Sequence, residues 1–325
     1  GFESIVGMPM RVAGNILIGF LVFGSALVVT GGGEFFMNFA AALLGKTRGG
    51  PAKVAILSSG FFGSLSGSVI SNVVTTGQLT IPTMKRAGYT PAYAASVEAC
   101  ASTGGTLMPP VMGAVAFLMA EFLNIPYRDI VIAAAVPSFL FYLALLLQVD
   151  CYAAVKGLKG QPASEIPRMW ETLKDGWFYL FSLLLLVYLL VWARMELYAP
   201  YYATIVLLAS AAIFRKKGRR FNLAKFLELI IESSSIIASI IAILAGIGVI
   251  VGALAFTGVG GAFSRELLSL AGGSLPFILI MGAVTSFFLG MGVTVSACYI
   301  FLAIVMGPAL IEFGLDPIAS HLFIL

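Results

Sequence analysis

The fold is decided by an interrupted helix, whose break reads Ser102-Thr103-Gly104-Gly105-Thr106-Leu107-Met108-Pro109-Pro110. Helical sequence precedes the break at 91–101 and resumes at 111–123. Two glycines and two adjacent prolines cannot continue an α-helix, because glycine is conformationally free and proline lacks the amide hydrogen. The stretch therefore predicts one discontinuous helix.

The composition of the chain places this helix in a membrane. Of the 325 residues, 60% are hydrophobic and 10% are charged, and the mean hydropathy is +1.02. A soluble domain carries roughly 25% charged residues, so this chain has too much apolar surface for water. Apolar runs at 131–149, 178–192 and 236–256 match the ~20 residues that a spanning helix needs. These features predict an all-α integral membrane protein.

A second irregular segment lies just before the interrupted helix. Two helical stretches, 51–62 and 69–86, are each short for a full crossing, and small residues join them at 63–68. Irregular backbone at membrane depth is tolerated only where protein or a cavity surrounds it. The segment therefore predicts a re-entrant hairpin.

The order of these elements repeats along the chain. Thr30-Gly31 recurs 227 residues later as Thr257-Gly258, and the small-residue apex at 63–68 recurs at 290–296. By nearly the same offset, the second interrupted helix begins at Pro317. Its break would fall beyond the last residue given, so the second repeat is expected to be truncated.

The distribution of basic residues indicates that the two repeats are inverted. If the first hairpin opens to the cytoplasm, fifteen of the nineteen Lys and Arg residues fall on that side; the exceptions are Arg11, Arg128, Arg194 and Arg265. Cytoplasmic loops carry such an excess. The second hairpin, 276–311, contains no Lys or Arg and is expected to enter from outside. Inverted repeats with broken helices are typical of secondary transporters.

The chain divides into four predicted parts. They are a scaffold span with a connector (1–50), a first transport-domain repeat of hairpin plus broken helix (51–125), scaffold spans with an interfacial helix at 221–232 (126–274), and a truncated second transport-domain repeat (275–325). The basic run 215–220 is interpreted as a topology determinant that also contacts anionic lipid of the bilayer.

Enzymatic chemistry is disfavoured. The sequence has no nucleophile-elbow, phosphate-loop or dinucleotide-binding motif, and His321 is its single histidine. Hydrolytic or metal catalysis therefore lacks the residues it needs. No nucleic-acid partner and no metal beyond Na⁺ are predicted.

Ion transport accounts for the same irregular segments. Hairpin apices and helix breaks leave backbone carbonyls free near the bilayer centre, where a hard cation such as Na⁺ takes oxygen ligands. The candidate ligands of the first repeat are Ser66, Gly67, Ser68 and Asn72 at the apex, and Ser102, Thr103 and Gly105 at the break. The alternative is that these small residues only allow close helix packing.

Two titratable residues lie on the interrupted helices. Glu98 lies one turn before Ser102, and a carboxylate inside a membrane indicates a function by default. It is a candidate proton carrier or substrate contact; the alternative is a structural partner of Lys85 or of a backbone donor. His321, on the matching helix, is either a polar contact between helices or a proton or substrate contact. The break at Pro109-Pro110 completes the candidate substrate contacts.

Three segments resemble the large membrane subunit of TRAP transporters. They are 63–77, which begins Gly63-Ser64-Leu65-Ser66-Gly67-Ser68, then 81–89, and finally 101–110. Val97-Glu98-Ala99 and Gln148-Val149-Asp150 are similar to the TAXI branch, whose permeases are often fused to the small membrane subunit. The resemblance covers nearly the whole chain.

The resemblance implies an elevator-type, ion-coupled importer of organic acids in a bacterial or archaeal inner membrane. A periplasmic binding protein would deliver the substrate, and a small membrane subunit, separate or fused, would complete the permease. The family's sodium sites carry over onto the seven first-repeat residues named above and onto Gly290, Gly292, Thr294 and Ser296 in the second repeat. Protons are the alternative coupling ion, with Glu98 as carrier.

Two other functions remain open from the sequence. One is a stand-alone Na⁺-coupled carboxylate symporter of the same architecture, which needs no soluble partner. The other is a non-transporting membrane scaffold or a channel. A requirement for an added binding protein separates the first from the TRAP importer, and conduction without saturable exchange marks a channel.

Overall fold

The computed structural model describes residues 5–214 and 221–325, apart from a few side chains within helices. The basic run 215–220 lies outside the described residues. A π-helical turn, Ala13–Leu17, joins the first two helices. The helices are α1 (Met8–Val12), α2 (Ile18–Thr30), α3 (Gly32–Leu44), α4 (Gly50–Ser66), α5 (Val69–Arg86), α6 (Pro91–Gly104), α7 (Gly113–Leu123), α8 (Tyr127–Lys156), α9 (Met169–Val191), α10 (Ala199–Phe214), α11 (Leu223–Thr257), α12 (Val259–Ala271), α13 (Leu275–Gly290), α14 (Val295–Val305), α15 (Gly307–Glu312) and α16 (Pro317–Ile324).

Four helical segments in the described part of the chain are long and apolar enough to cross a membrane. They are Met10–Thr30, Tyr127–Lys156, Met169–Val191 and Leu223–Thr257. The last three expose most of their surface, as expected for helices that contact lipid, whereas Met10–Thr30 is mostly buried. The predicted all-α integral membrane fold is confirmed.

The first hairpin consists of α4 and α5 packed side by side. Gly67, in the left-handed region with φ of +62°, ends α4, and Ser68 begins α5 by accepting a hydrogen bond from the Ser71 amide. Only two residues therefore reverse the chain. The second arm has the bounds that the sequence predicts.

The interrupted helix is formed by α6 and α7. Thr90 begins α6, because its hydroxyl accepts a hydrogen bond from the Tyr93 amide. After Gly104 the backbone passes through tight turns and a cis Pro109-Pro110 bond before α7 starts at Gly113. The predicted break is therefore present at the predicted position.

The chain separates into two compact units, and the first hairpin with α6 belongs to the unit formed by Gly19–Gly113 and Ala134–Ser234. In this unit the C-terminal part of α8 packs on α4, α5 and α6 through one apolar cluster. The buried members of that cluster are Ala52, Ala55, Ile56, Met84, Tyr89, Ala94, Val97, Ala101 and Val149.

Polar and aromatic contacts hold the open end of the first hairpin to α8. Asp150 accepts hydrogen bonds from Arg48 and, at 2.6 Å, from Lys53 Nζ. The Tyr93 and Tyr152 rings stack with centroids 3.7 Å apart. Burial raises the pKa of the neighbouring Tyr89 phenol, which stays neutral and donates to the Gly49 carbonyl at 3.2 Å.

The other unit contains Ala114–Ala133 and Ser235–Leu325. Its hairpin is formed by α13 and α14, which pack together and contact α16. The returning arm changes direction at Met306, where the short α15 begins. Buried Tyr299, Leu302 and Leu310 form part of the core of this unit.

One helix differs from the sequence prediction. An interfacial helix at 221–232 and a separate span at 236–256 were expected, whereas α11 is continuous over Leu223–Thr257. No glycine or proline lies between 223 and 245. The serines at 233–235 continue the helix, because a hydroxyl in an apolar helix can hydrogen-bond a carbonyl of the preceding turn, as Ser239 does with Ser235.

Candidate functional site

The apex of the first hairpin contacts the break of the interrupted helix backbone to backbone. A Cβ atom added to Gly63 would lie 2.8 Å from Gly105 Cα, and one added to Gly113 would lie 2.6 Å from the Gly67 carbonyl oxygen. Gly67 and Gly113 also have positive φ angles, of +62° and +69°. Only glycine fits at these contacts, so of the predicted ion-site residues Gly105 packs against Gly63 and Gly67 packs against Gly113.

Next to this contact between hairpin and interrupted helix, hydroxyl groups surround a fully buried carboxylate. Glu98 Oε1 accepts hydrogen bonds at 2.5 Å from both Ser59 and Thr76, and at 3.3 Å from Ser102. Glu98 Oε2 accepts one at 2.5 Å from Thr80. Glu98 has 0% of its surface exposed. We call Glu98 and these four hydroxyl residues the Glu98 cage.

Three helices position the Glu98 cage. Asn72, Thr76 and Thr80 follow one another at intervals of four along α5, so their side chains lie on one face of that helix. The Asn72 amide nitrogen donates to the Ser59 carbonyl of α4 at 2.9 Å, and its oxygen lies 3.3 Å from Thr76 Oγ1. Asn72 therefore closes the cage on the side of the apex.

The charge of Glu98 has no cationic counterpart in the described part of the chain. Lys85, the alternative partner that the sequence suggested, forms no ion pair with it there. From α8, Tyr142 interacts electrostatically with Glu98, and its hydroxyl donates to the Ala101 carbonyl at 2.9 Å. Burial of a carboxyl group is costly unless it is hydrogen-bonded, and here the hydrogen bonds come from the hydroxyl groups of the cage.

The other predicted ligands of the first repeat lie outside the cage. Ser68 caps α5, and Thr103 is exposed with its hydroxyl on the Ala99 carbonyl at 2.8 Å. Ser66 is the last residue of α4, and its side chain lies outside those that the structure describes. Pro109-Pro110 is half-buried. Among the described side chains of the predicted ligands, Ser102 hydrogen-bonds Glu98 directly and Asn72 is linked to it through Thr76.

The second repeat has a different polar pair. Tyr299 Oη lies 2.7 Å from His321 Nδ1, both residues are buried, and the Phe122 ring lies 6.4 Å from each of their rings. At the apex, Gly290 is exposed and a Cβ atom added there would meet nothing within 4 Å. The same holds for Gly292, while Thr294 is exposed and Ser296 half-buried.

Sequence reasoning missed Ser59, Thr76, Thr80 and Tyr299. The sequence did contain a pattern that indicates Thr76 and Thr80. With Asn72, they place polar side chains at intervals of four on one face of a helix. Glu98 at mid-helix indicated that such a face would have a partner.

A family comparison gives the class of the protein. Residues 3–325 match the model of the tripartite ATP-independent periplasmic transporter, DctM component. The chain belongs to this family. The predicted resemblance to TRAP large permeases is confirmed, while the TAXI branch stays a prediction.

Individual relatives agree with this TRAP assignment. The C4-dicarboxylate TRAP transporter large permease protein DctM of Pseudomonas aeruginosa is 28% identical over 305 residues, 93% of this chain and 70% of that protein. The isethionate TRAP transporter permease protein DctMQ of Oleidesulfovibrio alaskensis is 23% identical over 98% of this chain and 49% of its own length. The sialic acid TRAP transporter permease protein SiaT of Haemophilus influenzae is 28% identical over 53% of this chain and 28% of its own.

This TRAP permease chain is therefore a multi-pass membrane protein of a transporter family. The relatives are named as transporter permeases, which confirms the expectation that the chain is not an enzyme. The matched region covers about half the length of DctMQ and less than a third of the length of SiaT. The family description is that of a tripartite periplasmic transporter, of which this chain matches the DctM component.

Proposed function

We propose that this TRAP permease imports small organic acids across a bacterial cytoplasmic membrane by an ion-coupled elevator mechanism. A periplasmic binding protein delivers the substrate, and a small membrane subunit completes the permease. The names of the relatives support the substrate class, because C4-dicarboxylates, sialic acid and isethionate are all organic anions.

The observation that carries this proposal is the Glu98 cage beneath the glycine contact of hairpin and broken helix. Irregular backbone and polar groups at membrane depth mark the ion and substrate pathways of secondary transporters. The mutual packing of α4, α5 and α6 supports movement of these three helices as one body. An elevator mechanism needs such a body.

Na⁺ is the proposed coupling ion, with protons as the alternative. Near Asn72, Ser102 and Gly105 the described polar groups offer oxygen atoms, which suit a hard cation. The apex residues Gly290, Gly292, Thr294 and Ser296 are the proposed counterparts in the second repeat. Asn72→Ala is expected to raise the half-saturating Na⁺ concentration for uptake, since an amide oxygen is lost from the site.

Uptake into proteoliposomes tests the proposal. The permease with its small subunit is reconstituted, and a labelled dicarboxylate is supplied with and without the binding protein, under a Na⁺ gradient or a pH gradient. Uptake that requires both binding protein and Na⁺ gradient supports the proposal. Uptake without binding protein indicates a stand-alone symporter, and conduction without saturable exchange indicates a channel.

A further inference from the structure

We propose that Phe35 of α3, whose ring lies against Gly176 in a kink of α9, is the pivot on which α3 turns when the first hairpin moves. The inference rests on the elevator movement in the proposed function and assigns a fixed point to that movement. α3 follows α2, a predicted scaffold span, and precedes α4, the first arm of the hairpin; it packs against both α4 and α9.

The contact between Phe35 and Gly176 is the first argument. α9 departs from helical geometry at Gly176, where φ is −146° and ψ is 20°, and glycine is a common site of such kinks. A Cβ atom added to Gly176 would lie 2.2 Å from Phe35 Cδ2, so the ring occupies the space that a side chain would need. Both residues are buried. The kink therefore forms a socket for the Phe35 ring.

A hydrogen bond holds the start of α3 to the next turn of α9. The Tyr179 hydroxyl donates to the Thr30 carbonyl at 2.6 Å, and the Tyr179 ring lies 5.3 Å from the Phe35 ring. Gly31, between Thr30 and α3, has a φ of +89°, which glycine adopts without strain. Residues at the ends of helices can absorb the backbone rotation of a moving element. The first turn of α3 is thus fixed to α9 at two points, beside a glycine that can absorb rotation.

The remainder of α3 packs on the hairpin instead. The rings of Phe36 and Phe39 lie 5.7 and 6.1 Å from the Phe61 ring of α4. Farther along α3, a small apolar cluster joins it to Val54 of α4. Because this part of α3 follows α4 while the first turn is held on α9, a displacement of the hairpin turns α3 about Phe35.

A cavity beside the pivot leaves room for this rotation. It has a volume of about 220 Å³ and is lined by Asn38 from α3 and by Thr172 from the first turn of α9. Packed interiors contain few voids larger than a water molecule, so the two helices are separated here although they are in contact at Phe35. The inferred rotation carries Asn38 toward Thr172.

Filling the cavity tests the pivot. Asn38→Trp should lower the maximal rate of binding-protein-dependent uptake about tenfold, the effect expected when α3 turns into space that an indole ring already fills. Thermal unfolding should stay as in the wild type, because the cavity accommodates the ring as long as α3 does not turn. Leu43→Trp is the matched control: Leu43 lies on the same helix and is 47% exposed, so uptake should not change.

Distances between two spin labels give a readout that does not depend on uptake. The labels are attached to Leu43→Cys and Trp170→Cys, both at exposed positions, in purified permease whose native cysteines are serine. The wild-type background should populate two distances, and Asn38→Trp only one of them. A single distance in the wild-type background, with and without Na⁺, overturns the pivot.

Paired substitutions test the contact itself. Gly176→Ala places a methyl group against the Phe35 ring and should lower both the melting temperature and the uptake rate, and Phe35→Val in the same chain should restore part of the uptake by making room. Gly33→Ala is the matched control, since a Cβ atom there would lie 3.7 Å from Phe62 Cε2, an ordinary contact. Wild-type uptake in Gly176→Ala overturns the pivot. If Gly176→Ala does not fold, Asn38→Trp and the label distances decide.

The pivot and the proposed function fail separately in this design. A wild type without binding-protein-dependent uptake contradicts the proposed function, and the label distances then decide the pivot. Binding-protein-dependent uptake that is equally fast in the wild type and in Asn38→Trp contradicts only the pivot.

Discussion

The two hairpins follow one backbone plan but differ at their apices. In the first, Gly63 packs against Gly105 and Gly67 packs against Gly113, so closely that no side chain fits between the two backbone segments. In the second, a Cβ atom added to Gly290 would meet nothing within 4 Å. Glycine is therefore required for contact at the first apex, whereas at Gly290 no described neighbour requires it.

The polar link inside each repeat differs as well. The offset of 227 residues that relates the apices places Tyr299 at the position of Asn72. In the first repeat this position helps to enclose a carboxylate with hydroxyl groups, whereas in the second it pairs with an imidazole. Repetition in sequence therefore predicted where polar contacts occur but not their charge.

The largest expected difference between the two hairpins is the membrane face from which each one is accessible, because the repeats are predicted to be inverted. In a chain whose native cysteines (Cys100, Cys151 and Cys298) are serine, we expect Lys85→Cys to be labelled by an impermeant maleimide only from the cytoplasm. Ser274→Cys should be labelled only from outside, because the basic residues flank the first hairpin. Both positions are exposed. Labelling of both from one face would contradict the inverted arrangement.

The next largest effect is expected from glycine substitutions at the two apices. Gly67→Ala places a Cβ atom on a residue with positive φ and against Gly113 Cα, and should cost more than about 2 kcal/mol. Gly290→Ala should change the melting temperature little, because the position is helical and open. Thermal unfolding in detergent measures both. Equal losses would show that the second apex is also closed.

The fold was largely predictable from residues that restrict the backbone. Pro91 marked the start of α6 and the break at 102–110 its end, because proline and glycine limit where a helix can run, whereas α4 continues to Ser66, beyond the predicted end at 62. The partners of Glu98 were not predictable in the same way. Thr80 and Thr83 both bond a carbonyl of their own helix, so sequence cannot tell which one also reaches a neighbouring helix.

A smaller difference is expected between the polar links of the two repeats. Thr76→Val removes a hydroxyl that hydrogen-bonds the Glu98 carboxylate, a contact worth about 1.5–3 kcal/mol. Tyr299→Phe removes a neutral hydrogen bond to His321, worth about 0.5–1.5 kcal/mol. Thermal unfolding in choline buffer should therefore rank Thr76→Val as more destabilising. The reverse order would contradict the greater strength expected for the hydrogen bond to Glu98.

The smallest effect is expected at the open end of the first hairpin, where Asp150 accepts hydrogen bonds from Arg48 and Lys53. Asp150→Asn should lower the melting temperature only slightly, since the Arg48 side chain is 54% exposed, although that of Lys53 is only 14% exposed. The cost should shrink in concentrated choline chloride, which screens exposed charges. Glu171→Gln is the matched control: its pair with Arg168 is long, at 3.5 Å, and exposed on both sides, so thermal unfolding should not change. If Asp150→Asn also leaves thermal unfolding unchanged, the apolar cluster alone holds α8 against the hairpin.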